Sequence, residues 1–526
     1  MISSVLSPRR PWHATLATVL AAAALPLLAA PYDLHALHWI VYLPMFWALD
    51  PVDVRRNRRL AWLYGTVGVG LLFWWIVHTI VVFSPIPWFG AVPILGLFAA
   101  VFGAPYIALW PAVHPLRRVI GPWWVVVFPA LEVVIEWVSM KVLLFPYQHG
   151  VSQYRFPYTW QLASVTGVWG LSYLVFLVNA ALAEVLYRAR ESRPFPVGPV
   201  VGAAAAWVAT VAFGAWRYSS VTERVEAAPV LKVAQLQSDK GMEYRMSHSP
   251  REAWNEWLAA TQQIPPGAVD LVVWPEGASP YDLNETPGRR NLARELLSEE
   301  ARRGGHQLVI GGGTRIREAD AEMGEARTRV FNSVYVFDRD GTELGHYDKM
   351  VPLPFGEYLP LAKYLPRGLA SGLNIGDFEA GTEPRVFDVG AAHLATPICY
   401  EAILPDTCRR FEGATLLVNG TNDAWFGDTA SPHQHAMLAA SRSIELGVPM
   451  IRSAYTGVSM VVEANGDIHD ETEPFTAVSR PVQVHLASFE TPYRRFGNWF
   501  VGVCLLVVVV GAARLTRPLD SQISMR

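Results

Sequence analysis

The chain has 526 residues, 52% of them apolar and 20 of them tryptophan, with a formal net charge of −3. So nearly neutral a chain lacks the basic surface that nucleic acid demands, which excludes that class of partner. Length and composition point instead to two or more domains, with part of the chain in contact with the lipid bilayer.

The apolar residues crowd the first 220 positions. Stretches of about 20 residues, the length a bilayer core requires, lie near 12–30, 34–50, 60–83, 88–113, 119–140, 160–187 and 197–217, and one more lies near 497–514. The second is short and interrupted by His35, His38 and Pro44. The arginines supply an independent signal. Arg9 and Arg10 precede the first stretch, and Arg55, Arg56, Arg58 and Arg59 follow the second. Arg117 and Arg118 follow the fourth, Arg188, Arg190 and Arg193 the sixth, and Arg514 and Arg517 the last. The alternate loops are nearly free of Lys and Arg, with Lys141 and Arg155 the main exceptions. The positive-inside rule then puts both termini in the cytoplasm and the long segment between the last two stretches on the other side. The expected organisation is a membrane domain over 1–218 with seven transmembrane helices, an outer domain over 219–496, and a final transmembrane helix with a short tail over 497–526. The first stretch has no clear cleavage site and another follows closely, so it reads as an anchor rather than a signal peptide.

Glu132 and Glu136 stand four apart in the fifth stretch, on one helix face. Carboxylates inside a span are costly. The preferred reading is bonding within the helix bundle or to the outer domain, with a proton relay as the alternative.

Beyond residue 220 charges return, and β-rich runs alternate with helical patterns. The runs lie at 230–237, 270–276, 307–313, 332–338, 393–401, 414–423, 449–457 and 459–466, and helical stretches at 249–263, 289–304 and 433–446. "DRDG" (338–341) and "ANGD" (464–467) predict hairpin turns. The alternation reads as a layered α/β domain.

Three reactive residues stand at predicted strand ends. Glu276 closes "LVVWPE", Lys349 sits in "GHYDKMVPLPFGEYLPL", and Cys399 closes "LATPICYE". Strand ends are where layered α/β folds place their chemistry. A free thiol has a pKa of about 8.5, so it needs help to become a nucleophile. A lysine stabilises thiolate and oxyanion, and a carboxylate takes the proton. Glu276, Lys349 and Cys399 together make an acyl-transfer set without histidine. Singly, each has a plainer reading: a capping glutamate, a solvated lysine, a core cysteine. A Cys399–Cys408 disulfide is a further alternative. His433 and His435 have no companion metal ligands in the sequence. They read as structural or surface residues, and no metal or other cofactor is expected.

In order along the chain, "VVWPE", "DKMVPLPFGEYLP" and "PICYE" resemble the glutamate, lysine and cysteine motifs of the nitrilase, or carbon–nitrogen hydrolase, superfamily. "NGTNDAWFGDTASPHQH" followed by "SRSIELGVPMIRSAYTGVS", with several spans in front and one behind, resembles its apolipoprotein N-acyltransferase family. That resemblance implies a polytopic α-helical membrane domain plus an α/β domain, a nitrilase-like αββα sandwich, with about eight transmembrane helices. It implies a ping-pong reaction at the outer, periplasmic face of the bacterial inner membrane. A phospholipid, typically phosphatidylethanolamine, would load an acyl chain on Cys399 as a thioester. The N-terminal amine of a diacylglyceryl-cysteine apolipoprotein would then take it. Glu276 would be the general base, with Lys349 and the backbone N–H of Tyr400 holding the oxyanion. Glu357 resembles a second essential glutamate of the family, and Tyr400 and Glu401 follow the nucleophile as its pattern requires. Trp425 and Phe426 would form an acyl-chain wall or lid. Tyr244 stands nearest to where the family often has a lipid-contacting tryptophan. The resemblance suggests a monomer. Two other readings stay open: a membrane-tethered amidase of small amides, and a non-catalytic protein that binds lipid or lipoprotein.

Overall fold

Two β-sheets and a set of apolar helices account for most of the chain. The structure is a computed structural model and describes residues 10–142, 147–284, 290–319, 326–359 and 377–515. Arg9, Arg517 and the rest of the tail after residue 515 lie outside the described residues. The chain divides into two compact units. One comprises Met1–Val77, Pro87–Tyr218 and Arg495–Arg526, the other His78–Ile86 and Ser219–Arg494.

The first unit is helical. Among the described residues, four helical runs are long and apolar enough to cross a bilayer: Pro11–Leu28, Trp88–Val142, Val168–Arg190 and Val197–Glu226. The broken pair Val54–Leu72 and Ile76–Phe83 counts as a fifth, and Trp499–Arg514 is a shorter apolar helix. At 1.5 Å per residue, Trp88–Val142 is far too long for one crossing of a roughly 30 Å core. It is broken at Gly121, whose φ of +57° ends the preceding helix. Residues 34–50, read from sequence as one stretch, are instead a 3-10 turn, His35–Trp39, and a short helix, Leu43–Ala48, with Pro44 in its first turn. Proline is tolerated there because the first-turn N–H groups have no helical acceptor.

Buried aromatic rings form this unit's core. Tyr42 stacks on Phe176 with ring centroids 4.3 Å apart, and Phe46 meets Trp110 edge-on at 5.1 Å. Outward-facing side chains remain apolar: Val201, Val208, Trp216, Leu506 and Val509 are all exposed, as a lipid-facing surface requires. Inside the bundle, Glu136 accepts the backbone N–H of His149. Glu132 Oε1 lies 3.3 Å from His149 Nε2. The other ring nitrogen of His149 is 2.7 Å from Tyr42 Oη, which is 2.7 Å from His38 Nε2. Both carboxylates thus bond within their own bundle.

Among the described residues, the second unit contains twelve strands in two sheets. In chain order they are β1 (Val230–Gln237), β2 (Leu271–Trp274), β3 (Gln307–Ala319), β4 (Ala326–Phe337), β5 (Glu343–Asp348) and β6 (Val386–Val389), then β7 (Ala392–Ala395), β8 (Leu416–Thr421), β9 (Met450–Ala454), β10 (Met460–Val462), β11 (Ile468–His469) and β12 (Val478–His485). One sheet has the order β12-β1-β2-β3-β4-β5, the other β11-β10-β9-β8-β7-β6. Each has three parallel central strands, one antiparallel strand on one flank and two on the other. The central strands carry continuous apolar runs such as the wholly buried "LVVW" of β2, because both faces are covered. The predicted turns at 338–341 and 464–467 close the β4–β5 and β10–β11 hairpins.

The sheets pack face to face. Gln235 on β1 donates across the interface to the carbonyls of Arg452 (3.2 Å) and Met460 (3.0 Å), and Ser453 donates to that of Leu236 at 3.0 Å. Helices Pro250–Gln262 and Leu292–Gly304 cover the first sheet through Trp254, Trp257 and Leu297. Helix Ala430–Leu446 lies against the second, with Ser443 donating to the carbonyl of Val462. The layers therefore run helix, sheet, sheet, helix. The first helix starts where the sequence directs it: Ser249 and Glu252 cap each other's backbone N–H groups.

Candidate active site

Glu276 follows the end of β2 by two residues. Its turn packs tightly on β3, where a Cβ on Gly311 would fall 2.1 Å from the carbonyl oxygen of Pro275, so only glycine fits. Lys349 follows β5 directly, its backbone N–H held by the carbonyl of Asn332. The lysine ammonium sits between two carboxylates, 3.2 Å from Glu276 Oε1 and 2.7 Å from Glu357 Oε2. Asn332 of β4 joins the same pair from the other side. Its amide Nδ2 donates to Glu276 Oε1 at 2.6 Å and Glu357 Oε1 at 2.5 Å. Glu276 Oε2 accepts the backbone N–H of Asn422 at 2.7 Å, and Glu357 Oε2 that of Leu353 at 2.6 Å. Sequence reasoning missed Asn332, an unremarkable polar residue in a strand until β4 is placed beside β3 and β5.

Cys399 corrects one expectation. It does not close a strand: β7 ends at Ala395, and Pro397, which has no N–H for a ladder, lies between. Cys399 instead opens a 3-10 turn, Cys399–Ile403, with φ at +49°. Left-handed backbone is unfavourable for a side chain bearing Cβ and persists only where the surroundings enforce it. Here Glu401 is the enforcing group. Its Oε2 accepts the Ile398 N–H at 2.8 Å. Its Oε1 accepts Tyr347 O–H (2.8 Å), Met350 N–H (2.7 Å) and Val351 N–H (3.0 Å).

The cluster is shielded from water: Glu276 is 8% exposed, Lys349 1% and Cys399 6%. Burial opposes the charge on Lys349, but Glu276 and Glu357 outweigh it and hold its pKa well above the ordinary lysine value. Burial and then the Glu276 charge push the Cys399 thiol up, against Lys349 and a hydrogen bond with Thr421. The resting state is a protonated thiol beside a charged lysine. Burial raises Glu401 to about 7, against its hydrogen bonds and the Lys349 charge.

The remaining residues singled out in the sequence are placed as follows. Tyr400 is buried, within reach of the Lys349 field. Trp425 and Phe426 lie in the turn Asp423–Phe426 just after β8, and Trp425 packs on Phe83 with ring centroids 4.4 Å apart. Tyr244 bonds to Glu256 and stacks on His248; these contacts include no member of the Glu276–Lys349–Cys399 set. All three cysteines are free thiols, so the Cys399–Cys408 disulfide does not form. His435 pairs with buried Asp423. Among the described residues no group of three or more His, Cys, Asp and Glu could hold a metal.

A buried thiol, a carboxylate and a charged lysine in the turns that follow the strands of an αββα sandwich define an acyl-transferring enzyme of the carbon–nitrogen hydrolase class. The carbon–nitrogen hydrolase family model matches residues 232–484, and the model of the apolipoprotein N-acyltransferase N-terminal domain matches residues 21–181. Apolipoprotein N-acyltransferase from Geobacter metallireducens is 31% identical over 96% of this chain and 95% of its own. The Brucella melitensis enzyme of that name is 30% identical over 95% of each chain, and the Bradyrhizobium diazoefficiens one 31% over 86% of each. The chain belongs to the apolipoprotein N-acyltransferase family. Among solved structures, an amidase from Nesterenkonia sp. matches over 52% of this chain and 95% of its own, at 18% identity and a TM-score of 0.37.

Proposed function

We propose that this protein moves an acyl chain from a phospholipid to Cys399, and from Cys399 to the N-terminal amine of a diacylglyceryl-cysteine apolipoprotein. The observation that carries this reading is the Cys399 turn, set in the field of Glu276 and Lys349 on a chain whose other unit is built of apolar helices. A small polar amide would need no such helices.

In the first half-reaction Glu276 takes the thiol proton while Sγ attacks the ester carbonyl. The oxyanion forms beside the Lys349 ammonium and the Tyr400 N–H. The C–O bond then breaks, and the proton on Glu276 passes to the leaving lysophospholipid oxygen. In the second half the acceptor amine attacks the thioester carbonyl and Glu276 takes a proton from the nitrogen. The C–S bond breaks and the thiol regains its proton. Glu357 and Asn332 fix Lys349 and Glu276 throughout. Trp425, Phe426 and Tyr244 contact the lipid chains. The helical unit spans the bacterial inner membrane with seven helices before residue 219 and one after 496. The sandwich sits on the periplasmic side, and the protein acts as a monomer with phosphatidylethanolamine as donor.

Intact-protein mass spectrometry after incubation with phosphatidylethanolamine tests the reading, wild type beside Cys399→Ser. A hydroxylamine-sensitive acyl mass on the wild type alone is expected. Folded wild-type protein that takes no acyl group would overturn it.

A further inference from the structure

Arg245 lies on the short helix Met242–Ser247, between β1 and helix Pro250–Gln262. Its side chain is half-buried. The guanidinium carbon stands 5.6 Å from the ring centroid of Tyr455, the residue that follows β9. Nη1 and Nη2 lie 3.4 and 3.6 Å from the point where a Cβ on Gly277 would fall. Gly277 is the residue directly after Glu276, with φ at +62°. The backbone N–H of Ser238, the residue that follows β1, donates to the carbonyl of Tyr455 at 2.8 Å. The guanidinium is thus set among the carboxyl ends of β1, β2 and β9, against the backbone beside Glu276. Ligands bind at such strand ends in layered α/β folds.

This cation has no counter-charge of its own. Among the described residues no carboxylate lies within ion-pair distance of Arg245, and no group accepts its N–H donors. Glu256, the acid on the neighbouring helix, bonds to Tyr244 instead. An arginine over an aromatic ring gives up part of its water and keeps its charge and its planar fork of donors. That fork fits a pair of phosphate oxygens. In a diacyl phospholipid five or six bonds separate an ester carbonyl carbon from phosphorus, a reach of about 5–8 Å at ordinary bond lengths. The path from the guanidinium through Gly277 to the Cα of Glu276 spans at most about 9 Å. An ester carried to the thiol and base therefore brings its phosphate within reach of Arg245.

We propose that Arg245 is a substrate-binding residue, and that its guanidinium holds the phosphodiester of the acyl donor. The inference rests on the donor being a phospholipid. It adds a cation that reads the headgroup side of the ester, whereas Lys349 serves the carbonyl oxygen.

The test compares full-length wild type, Arg245→Ala and Arg245→Lys in detergent micelles, with thioester formation followed by intact-protein mass spectrometry. Three donors are used: phosphatidylethanolamine, phosphatidylglycerol and p-nitrophenyl palmitate, which is an acyl ester without phosphate. For Arg245→Ala the KM for both phospholipids should rise by about 10- to 100-fold, the loss expected for a hydrogen bond to a charged group. The loss should be confined to the phosphate-bearing donors, and Arg245→Lys should recover part of it. Equal losses on all three donors would overturn the assignment, because a merely structural arginine would act on each alike. So would a loss with phosphatidylethanolamine alone, which would mean that the amine is read. If the site served free phosphate, inorganic phosphate would slow wild type and spare Arg245→Ala while the phospholipid KM stayed the same in both; that result would also overturn it. If Arg245→Ala does not fold, Arg245→Gln decides by the same comparison. Wild type acylated by p-nitrophenyl palmitate and by neither phospholipid would refute the donor reading itself, a result distinct from all of these.

Discussion

The carboxylate of Glu401 accepts the backbone N–H of Met350 at 2.7 Å, which ties the residue two past Cys399 to the residue one past Lys349. Cys399 and Lys349 follow strands of different sheets, β7 and β5, and this single side chain sets their spacing. Every group bonded to Glu401 Oε1 and Oε2 is a donor. Glu401→Gln would point its own N–H₂ at one of those donors. We expect a stability loss of about 1–3 kcal/mol from the unmade bond, read as a lower melting temperature in detergent, with slower thioester formation. Wild-type behaviour in both would show that the spacing is set elsewhere.

Asn332 bridges Glu276 and Glu357 through one amide nitrogen. Asn332→Ala should slow acylation by roughly 10- to 100-fold by freeing both carboxylates. Asn332→Asp should do at least as much damage, because a third buried carboxylate would crowd one lysine. An Asn332→Asp enzyme faster than Asn332→Ala would refute the bridging role.

Lys349 gives a pH signature. Its pKa in the folded protein is raised above the ordinary lysine value of 10.5. The stability contributed by its ion pairs is therefore fully present below that value, and is lost only as pH rises through the higher folded value. Lys349→Met strands two buried carboxylates, a change of about 3–5 kcal/mol for broken buried pairs. The melting-temperature gap between wild type and Lys349→Met should stay constant from about pH 7 to pH 10. A gap that closes inside that window would contradict the assignment.

Cys399→Ser should abolish the thioester, whereas Cys408→Ser should be tolerated. Cys408 Sγ donates to the carbonyl of Glu401 at 3.3 Å, and a serine hydroxyl can make the same bond. Acylation by Cys408→Ser should stay within about tenfold of wild type, a cost below one ordinary buried-group defect. Complete loss would mean that the turn after Cys399 depends on sulfur.

The proposed orientation can be read with single cysteines. All three native thiols are buried, so a new surface cysteine stands out. Asp388→Cys, at an 88% exposed side chain, should react with a membrane-impermeant maleimide in intact spheroplasts. Arg193→Cys, at a 63% exposed one, should react only after lysis. The reverse pattern would invert the topology.

Much of this was legible in the chain because reactive residues stand out against apolar runs. Glu276, Lys349 and Cys399 announce themselves by type, and β1 begins and ends where its pattern does, at Val230 and Gln237. What could not be read follows from geometry. Asn419 sits in a strand whose every residue is buried, so no alternation marks that its amide turns to the carbonyls of Pro397 and Cys399. β5 carries Gly345 at φ +124° and β12 carries Pro481 on an edge, and both residues weaken a strand pattern. The left-handed turn at Cys399 is set by Glu401 and by β5, far away in sequence, and no local signal foretells it. Residues 34–50 matched a span in composition, but His35, His38 and Pro44 had already indicated the break.

The burial of Cys399 has a consequence for how the protein withstands oxidants. Peroxides, disulfides and alkylating agents react with thiolate, and they need access to it. At rest this sulfur is neither charged nor open to solvent. In the proposed reaction its reactivity is called up only when a carbonyl carbon and Glu276 meet it together. An enzyme so arranged ages slowly in air. It should keep its activity through purification without added reductant, and lose it to oxidants mainly while turning over.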